Sequence, residues 1–161
     1  MAYIGSGLQR FNTANGLTVS GNTEVDGGTI KLDGNFPTGT GTVALGDTAL
    51  DDGSLSGNNN TAVGSAALSA NTTGTENAAV GSQSLDANTT GNYNSSIGHN
   101  SLSANTTASH NSAIGYNALA ANSTGAQNTA LGSTALDANT TASNNTAVGY
   151  TSLGVNTTGT R

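Results

Sequence analysis

The chain has 161 residues, with three Lys or Arg, nine Asp or Glu and no Cys, and a formal net charge of -6. Charged residues make up 7 % and aromatics 4 %, so the side chains are too small to fill one wide core, yet the high charge typical of disorder is missing too. Arg10, Lys31 and Arg161 are the only cations, which leaves no basic stripe for nucleic acid, and without Cys neither a disulfide framework nor a thiolate metal site can hold the fold.

Residues 1–15 open with "MAYIGSGLQRF" and carry Tyr3, Ile4, Leu8 and Phe11, a large share of the bulky apolar groups in the chain. They lack the basic head and continuous apolar run of a secretion signal, and no later segment approaches the length of a membrane span. The expectation is a protein made in a cytoplasm, with no membrane insertion, whose first residues form a docking segment.

Residues 16–41, "GLTVSGNTEVDGGTIKLDGNFPTGTG", alternate apolar and polar residues in short runs punctuated by glycine. Strands so few and short do not make an independent domain, so an intertwined shaft shared with other copies is expected.

From residue 60 the chain repeats every 17 residues without gaps, as 60–76, 77–93, 94–110, 111–127, 128–144 and 145–161. Position 1 is always Asn (Asn60, Asn77, Asn94, Asn111, Asn128, Asn145) and position 12 is again Asn (Asn71, Asn88, Asn105, Asn122, Asn139, Asn156). Position 4 is aliphatic (Val63, Val80, Ile97, Ile114, Leu131, Val148), position 5 is Gly, and position 9 is Leu (Leu68, Leu85, Leu102, Leu119, Leu136, Leu153). Upstream, residues 42–59 place Leu45, Gly46 and Leu50 correspondingly and then carry one extra residue, which reads as a degenerate first coil.

Seventeen residues are too few for two helices, and Gly, Asn and Thr oppose helix. Runs such as "NTAVG" and "ALSAN" suit short strands, with "NTTGTE" as the corner. The spacing therefore predicts an all-β fold, a parallel β-solenoid or β-roll with one 17-residue coil per repeat. Stacking requires each coil to match its neighbours, which explains the monotony. The aliphatic residues of position 4 and the Leu residues of position 9 are expected in the core, and the two Asn series in amide ladders at corners.

One coil has little apolar area against the entropy of ordering it. An oligomer is therefore expected, most simply a parallel homotrimer. With Val63 pointing inward, Ala62 and Gly64 would point outward, and this small-residue face, with Ala113 among its members, is expected to form the interface. Nothing in the last repeat resembles a polar cap, so Asn156 to Arg161 are expected to abut further sequence or another protein.

No constellation for catalysis is evident, and no cofactor is expected. His99 and His110 fall at variable repeat positions and read as surface variants. Asp47, Asp51 and Asp52 cluster but lack the spacing of a calcium loop, and read as solvated acids. The Asn-Thr-Thr and Asn-Ser-Thr tripeptides formally make glycosylation acceptors, here read as corner chemistry.

The "MAYIG" start, "GLTVSGNTEVDGGTIKLDG" and the tandem "NTAVGxxALxANTTG" repeats together resemble tail-fibre proteins of bacteriophages, particularly marine ones. "NTAVG" is also similar to the "NAVAIG" repeat in the heads of trimeric autotransporter adhesins, where a left-handed parallel β-roll trimerises. The resemblance covers nearly the whole chain. It implies a structural fibre or appendage of a virion, assembled in the host cytoplasm, joined to other virion proteins through its first residues and serving attachment to a host-surface glycan or receptor. A bacterial cell-surface adhesin head is an alternative, as is a solenoid that binds ice or glycan through regularly spaced Thr.

Overall fold

The computed structural model of the chain describes residues 40–52 and 54–159, all within one structural unit. Tyr3, Ile4, Leu8 and Phe11, the segment 1–15 and nearly all of the expected shaft lie outside the described residues. No helix of the described residues is long and apolar enough to cross a membrane.

Seven three-residue strands form one parallel sheet in chain order: β1 Val43–Leu45, β2 Thr61–Val63, β3 Ala78–Val80, β4 Ser95–Ile97, β5 Ser112–Ile114, β6 Thr129–Leu131 and β7 Thr146–Val148. Each strand pairs in register with the next, Ala62 with Ala79 and Ala113 with Ala130, so the 17-residue repeat is one turn of a β-solenoid. Between β1 and β2 the offset is 18, Val43 pairing with Thr61, so residues 42–59 absorb their extra residue without disturbing the sheet.

The second expected strand is not one. "ALSAN" and its equivalents form a run of turns, because Leu50, Leu68, Leu85, Leu102, Leu119, Leu136 and Leu153 all adopt φ between 49° and 55°. A left-handed residue breaks the alternation that a strand needs. It also turns the Leu N–H toward the following coil, where Leu68 donates to Ser84 O at 3.1 Å and Leu119 to Ala135 O at 3.0 Å. Positions 7 and 17 are left-handed as well, as at Ala66 and Glu76, so each coil up to Asn144 turns through three such residues.

The expected core is half corrected. Leu68, Leu85, Leu102, Leu119 and Leu136 are fully buried, together with the position 3 alanines Ala62, Ala79, Ala113, Ala130 and Ala147. Val80, Ile97, Ile114, Leu131 and Val148 are exposed, and Val63 is only partly covered. The interior is thin. Ser84 at position 8 and Ser96 at position 3 reach across it with their hydroxyls 2.7 Å apart, so a second large side chain per coil has no room beside Leu. Strand alternation then forces position 4 outward once position 3 points in. Leu153, in the last described coil, is 44 % exposed because no described coil covers its far side.

The same inversion removes the expected small-residue interface, since Ala62 and Ala113 are interior residues. Gly64 is explained by stacking instead. Its φ is +136°, and a Cβ there would meet Gly81 O at 2.5 Å.

Asparagine closes the interior. Asn77 donates both its backbone N–H and its side-chain amide to Asn60 Oδ1, at 2.9 and 3.2 Å, and the backbone bond recurs from Asn94 to Asn77 and onward to Asn145 and Asn128. A second ladder runs from Asn88 Nδ2 to Asn71 Oδ1 at 2.8 Å through Asn105 and Asn122 to Asn139. Asn156 is partly exposed and donates to Gly159 O at 2.9 Å. Leu55, fully buried, donates its N–H to Asp52 O three residues back as Asn71 does to Leu68 O, and so starts the second series with an apolar side chain.

Candidate functional site

With the polar ladders buried, the surface that the repeat displays is the outer face of the seven-stranded sheet. Alternation sends positions 2 and 4 of each strand outward. Position 4 forms an aliphatic column of Leu45, Val63, Val80, Ile97, Ile114, Leu131 and Val148, with exposure reaching 45 % at Ile97 and 64 % at Val148. Position 2 forms a parallel column of small residues, Thr61, Ala78, Ser95, Ser112, Thr129 and Thr146. A row of exposed large aliphatics is uncommon on a protein that stays alone in water.

Two further exposed columns bracket the strands. Position 17, just before the inward Asn, carries Tyr93 and His110, whose rings stack at 5.0 Å and 9°. Position 6, just after Gly, carries His99 and Tyr116, stacked at 5.7 Å and 14°, and farther along Tyr150. The two histidines therefore occupy rungs of ring ladders, each on a Tyr one coil away. The expectations from sequence do not include this face, although the recurrence of Tyr93, Tyr116 and Tyr150 at only two repeat positions is a usable signal.

The acids do not converge. Asp47 and Asp51 are exposed, and the Asp52 carboxylate accepts from the Ser54 hydroxyl and from Ser54 N at 2.8 Å, bonds that hold its pKa below the ordinary aspartate value. Among the described residues no group of three or more His, Cys, Asp or Glu is placed to hold a metal ion. Asp86, at position 10, is partly buried. Desolvation pushes its carboxyl up, partly opposed by hydrogen bonds from its own N–H and that of Ala87, and its Oδ1 has no hydrogen-bond partner.

Two other sequence features resolve structurally. The formal glycosylation acceptors Asn71, Asn88, Asn105, Asn122 and Asn139 are fully buried, so their amides are spent inside the fold. Position 14 Thr, as at Thr73, Thr90 and Thr107, is exposed in one column, but the neighbouring hydroxyls of Thr72, Thr89 and Thr106 donate to carbonyls of the next coil at 2.9 to 3.3 Å. The free Thr array is thus one residue wide.

No protein-family model, curated protein or solved structure matches this chain.

Proposed function

We propose that the chain is a structural fibre protein of a virion, a phage tail fibre or appendage that supports attachment to a host-surface glycan or receptor. The observation that carries the reading is the unbroken succession of ladders from coil to coil. Main-chain bonds and two buried Asn series make a stiff stack, and its surface is a set of repeating columns in which, among the described residues, no three or more His, Cys, Asp or Glu come together. Such a unit transmits position and load along its axis, which suits a spacer better than a pocket enzyme. The resemblance of the start and of the repeats to phage tail fibres supports the same reading. In it, three chains associate in parallel, and residues 1–15 with Tyr3, Ile4, Leu8 and Phe11 dock to another virion protein.

Antibodies raised against the repeats test this on purified particles. Immuno-electron microscopy is expected to label an appendage, and a chain lacking residues 1–15 is expected to trimerise yet stay off the particle. Particles without label, or normal incorporation of the truncated chain, would count against the respective parts.

A further inference from the structure

The geometry points to the outer sheet face as the contact between copies of this chain, packed parallel and in register, with the position 4 column of one copy lying in the position 2 column of the next. The inference rests on the self-association in the reading above and names the surface and alignment that would produce it.

The first argument is size. In β2 to β7 each strand presents one large and one small outward residue: Thr61 with Val63, Ala78 with Val80, Ser95 with Ile97, Ser112 with Ile114, Thr129 with Leu131 and Thr146 with Val148. The face is therefore a ridge beside a groove, both running along the stack. The β-branched Ile97 and Ile114 stand beside the smallest hydroxyl residue, serine.

Rotation of a second copy about an axis along the stack brings the left half of one face against the right half of the other, at equal height. Each ridge residue of β2 to β7 then meets a small residue of the partner, and in β1 Leu45 meets Val43. An antiparallel partner would place ridge on ridge and groove on groove, leaving voids that close packing does not tolerate.

The bracketing columns follow the same rule. In the parallel arrangement position 17 meets position 6, so Tyr93 lies opposite a partner His99 and His110 opposite a partner Tyr116. The long side chains of Glu76 and Gln127 likewise fall opposite Ser82 and Ser133. Tyr93 and Tyr116 then each have an imidazole within their rung, and Tyr150 falls opposite Asn144.

Area and charge agree. Seven strands at about 4.8 Å spacing and about six residue steps of 3.3 Å give a face of roughly 29 by 20 Å, near 600 Å² per chain. Three such faces turned toward one axis bury about 1,800 Å² in all, within the range of specific interfaces. The chain carries a net charge of -6, so self-contact needs a patch without acids. The columns at positions 2 and 4 have none, and the bracketing columns hold only Asp47 and Glu76, both toward β1.

Sedimentation of the full chain and cysteine pairing test the inference. The wild type is expected to be an oligomer and the variant Ile97→Asp/Ile114→Asp a monomer with an unchanged circular dichroism spectrum, since both side chains are exposed. A monomeric wild type would overturn self-association and this interface together. An oligomeric wild type with an equally oligomeric double variant would overturn the interface alone. If the double variant fails to fold, alignment is read from Ser112→Cys and Ile114→Cys chains, which have no native Cys to confuse them. A co-expressed mixture is expected to form disulfide-linked chains on oxidation far faster than either variant by itself. Equal linking by either variant alone, or none in the mixture, would refute the parallel ridge-in-groove arrangement.

Discussion

Asn60 and Asn71 donate their side-chain amides to the same acceptor, the carbonyl of Gly74, at 2.8 and 3.0 Å. The pattern recurs at Gly91, Ala108, Gly125 and Ala142, so in five successive coils one carbonyl joins the two Asn series. A buried carbonyl has two lone pairs, and here both are used.

Removing one donor should therefore be costly. Asn94 donates to Asn77 Oδ1 and Ala108 O, and its own Oδ1 accepts from Asn111 N. Asn94→Ala leaves a buried N–H and a carboxamide oxygen short of partners and is expected to destabilise by roughly 2–4 kcal/mol, counting about 1–3 kcal/mol per orphaned group. Urea unfolding measures this, and a loss under about 0.5 kcal/mol would mean that water replaces the ladder.

Glycine at position 5 offers an internal control. Gly115→Ala places a Cβ 2.5 Å from Gly132 O, whereas at Gly149 an added Cβ meets nothing within 4 Å. Both have φ above +120°, so both substitutions strain the backbone. Gly115→Ala is expected to lower the melting temperature clearly more than Gly149→Ala, the difference reporting the steric stack.

Leu119 and Ile114 should separate core from surface. Leu119→Ala empties a fully buried site and is expected to cost roughly 2–5 kcal/mol. Ile114→Ser should leave the coil itself intact and reduce only association, so unfolding at protein concentrations below assembly is the discriminating measurement.

Gln127 has φ 59° and is exposed, a conformation that Asn, already present at Asn59 and Asn144, tolerates better. Gln127→Asn is expected to raise stability by a few tenths of a kcal/mol, up to about 1 kcal/mol, readable as a higher urea midpoint.

Asp86 sets a pH dependence. Its pKa is raised in the folded state, so protonation favours folding, and that contribution is complete below the ordinary aspartate value and disappears as pH rises through the folded one. Asp86→Ser, the residue that Ser69 and Ser103 place in the same column, is expected to raise the melting temperature at pH 7 and to lose that advantage near pH 3. A gain independent of pH would mean that the carboxyl's charge is not the cause.

The period, the parallel stacking and the inward Leu and Asn were legible because stacked coils demand identity at positions that touch. The direction of the strand was not. Val63 and Ala62 alternate under either choice, and assigning the larger residue to the interior assumes a wide core. Contacts such as the 2.7 Å one between Ser84 and Ser96 show how thin the interior is, and that distance depends on the left-handed corners at Leu85 and Tyr93 between them. The left-handed Leu was equally hidden, since propensity alone disfavours it at Leu68 and stacking overrides propensity. The outer face is hidden in the sequence for the same reason, since its Ile and Val are the residues that a wide core would claim.

The single extra residue between β1 and β2 says something about how such a chain can change its length. An odd residue is accommodated among residues 51–58, before Asn60 restores the phase, while every later strand keeps strict spacing. Removing or copying a whole repeat such as 94–110 rejoins like with like, and all remaining rungs still find their partners. Losing one residue inside a strand dislocates everything on one side of it. Evolution can therefore lengthen or shorten this molecule cheaply only in steps of one coil, about 4.8 Å each, so that its reach is counted in integers.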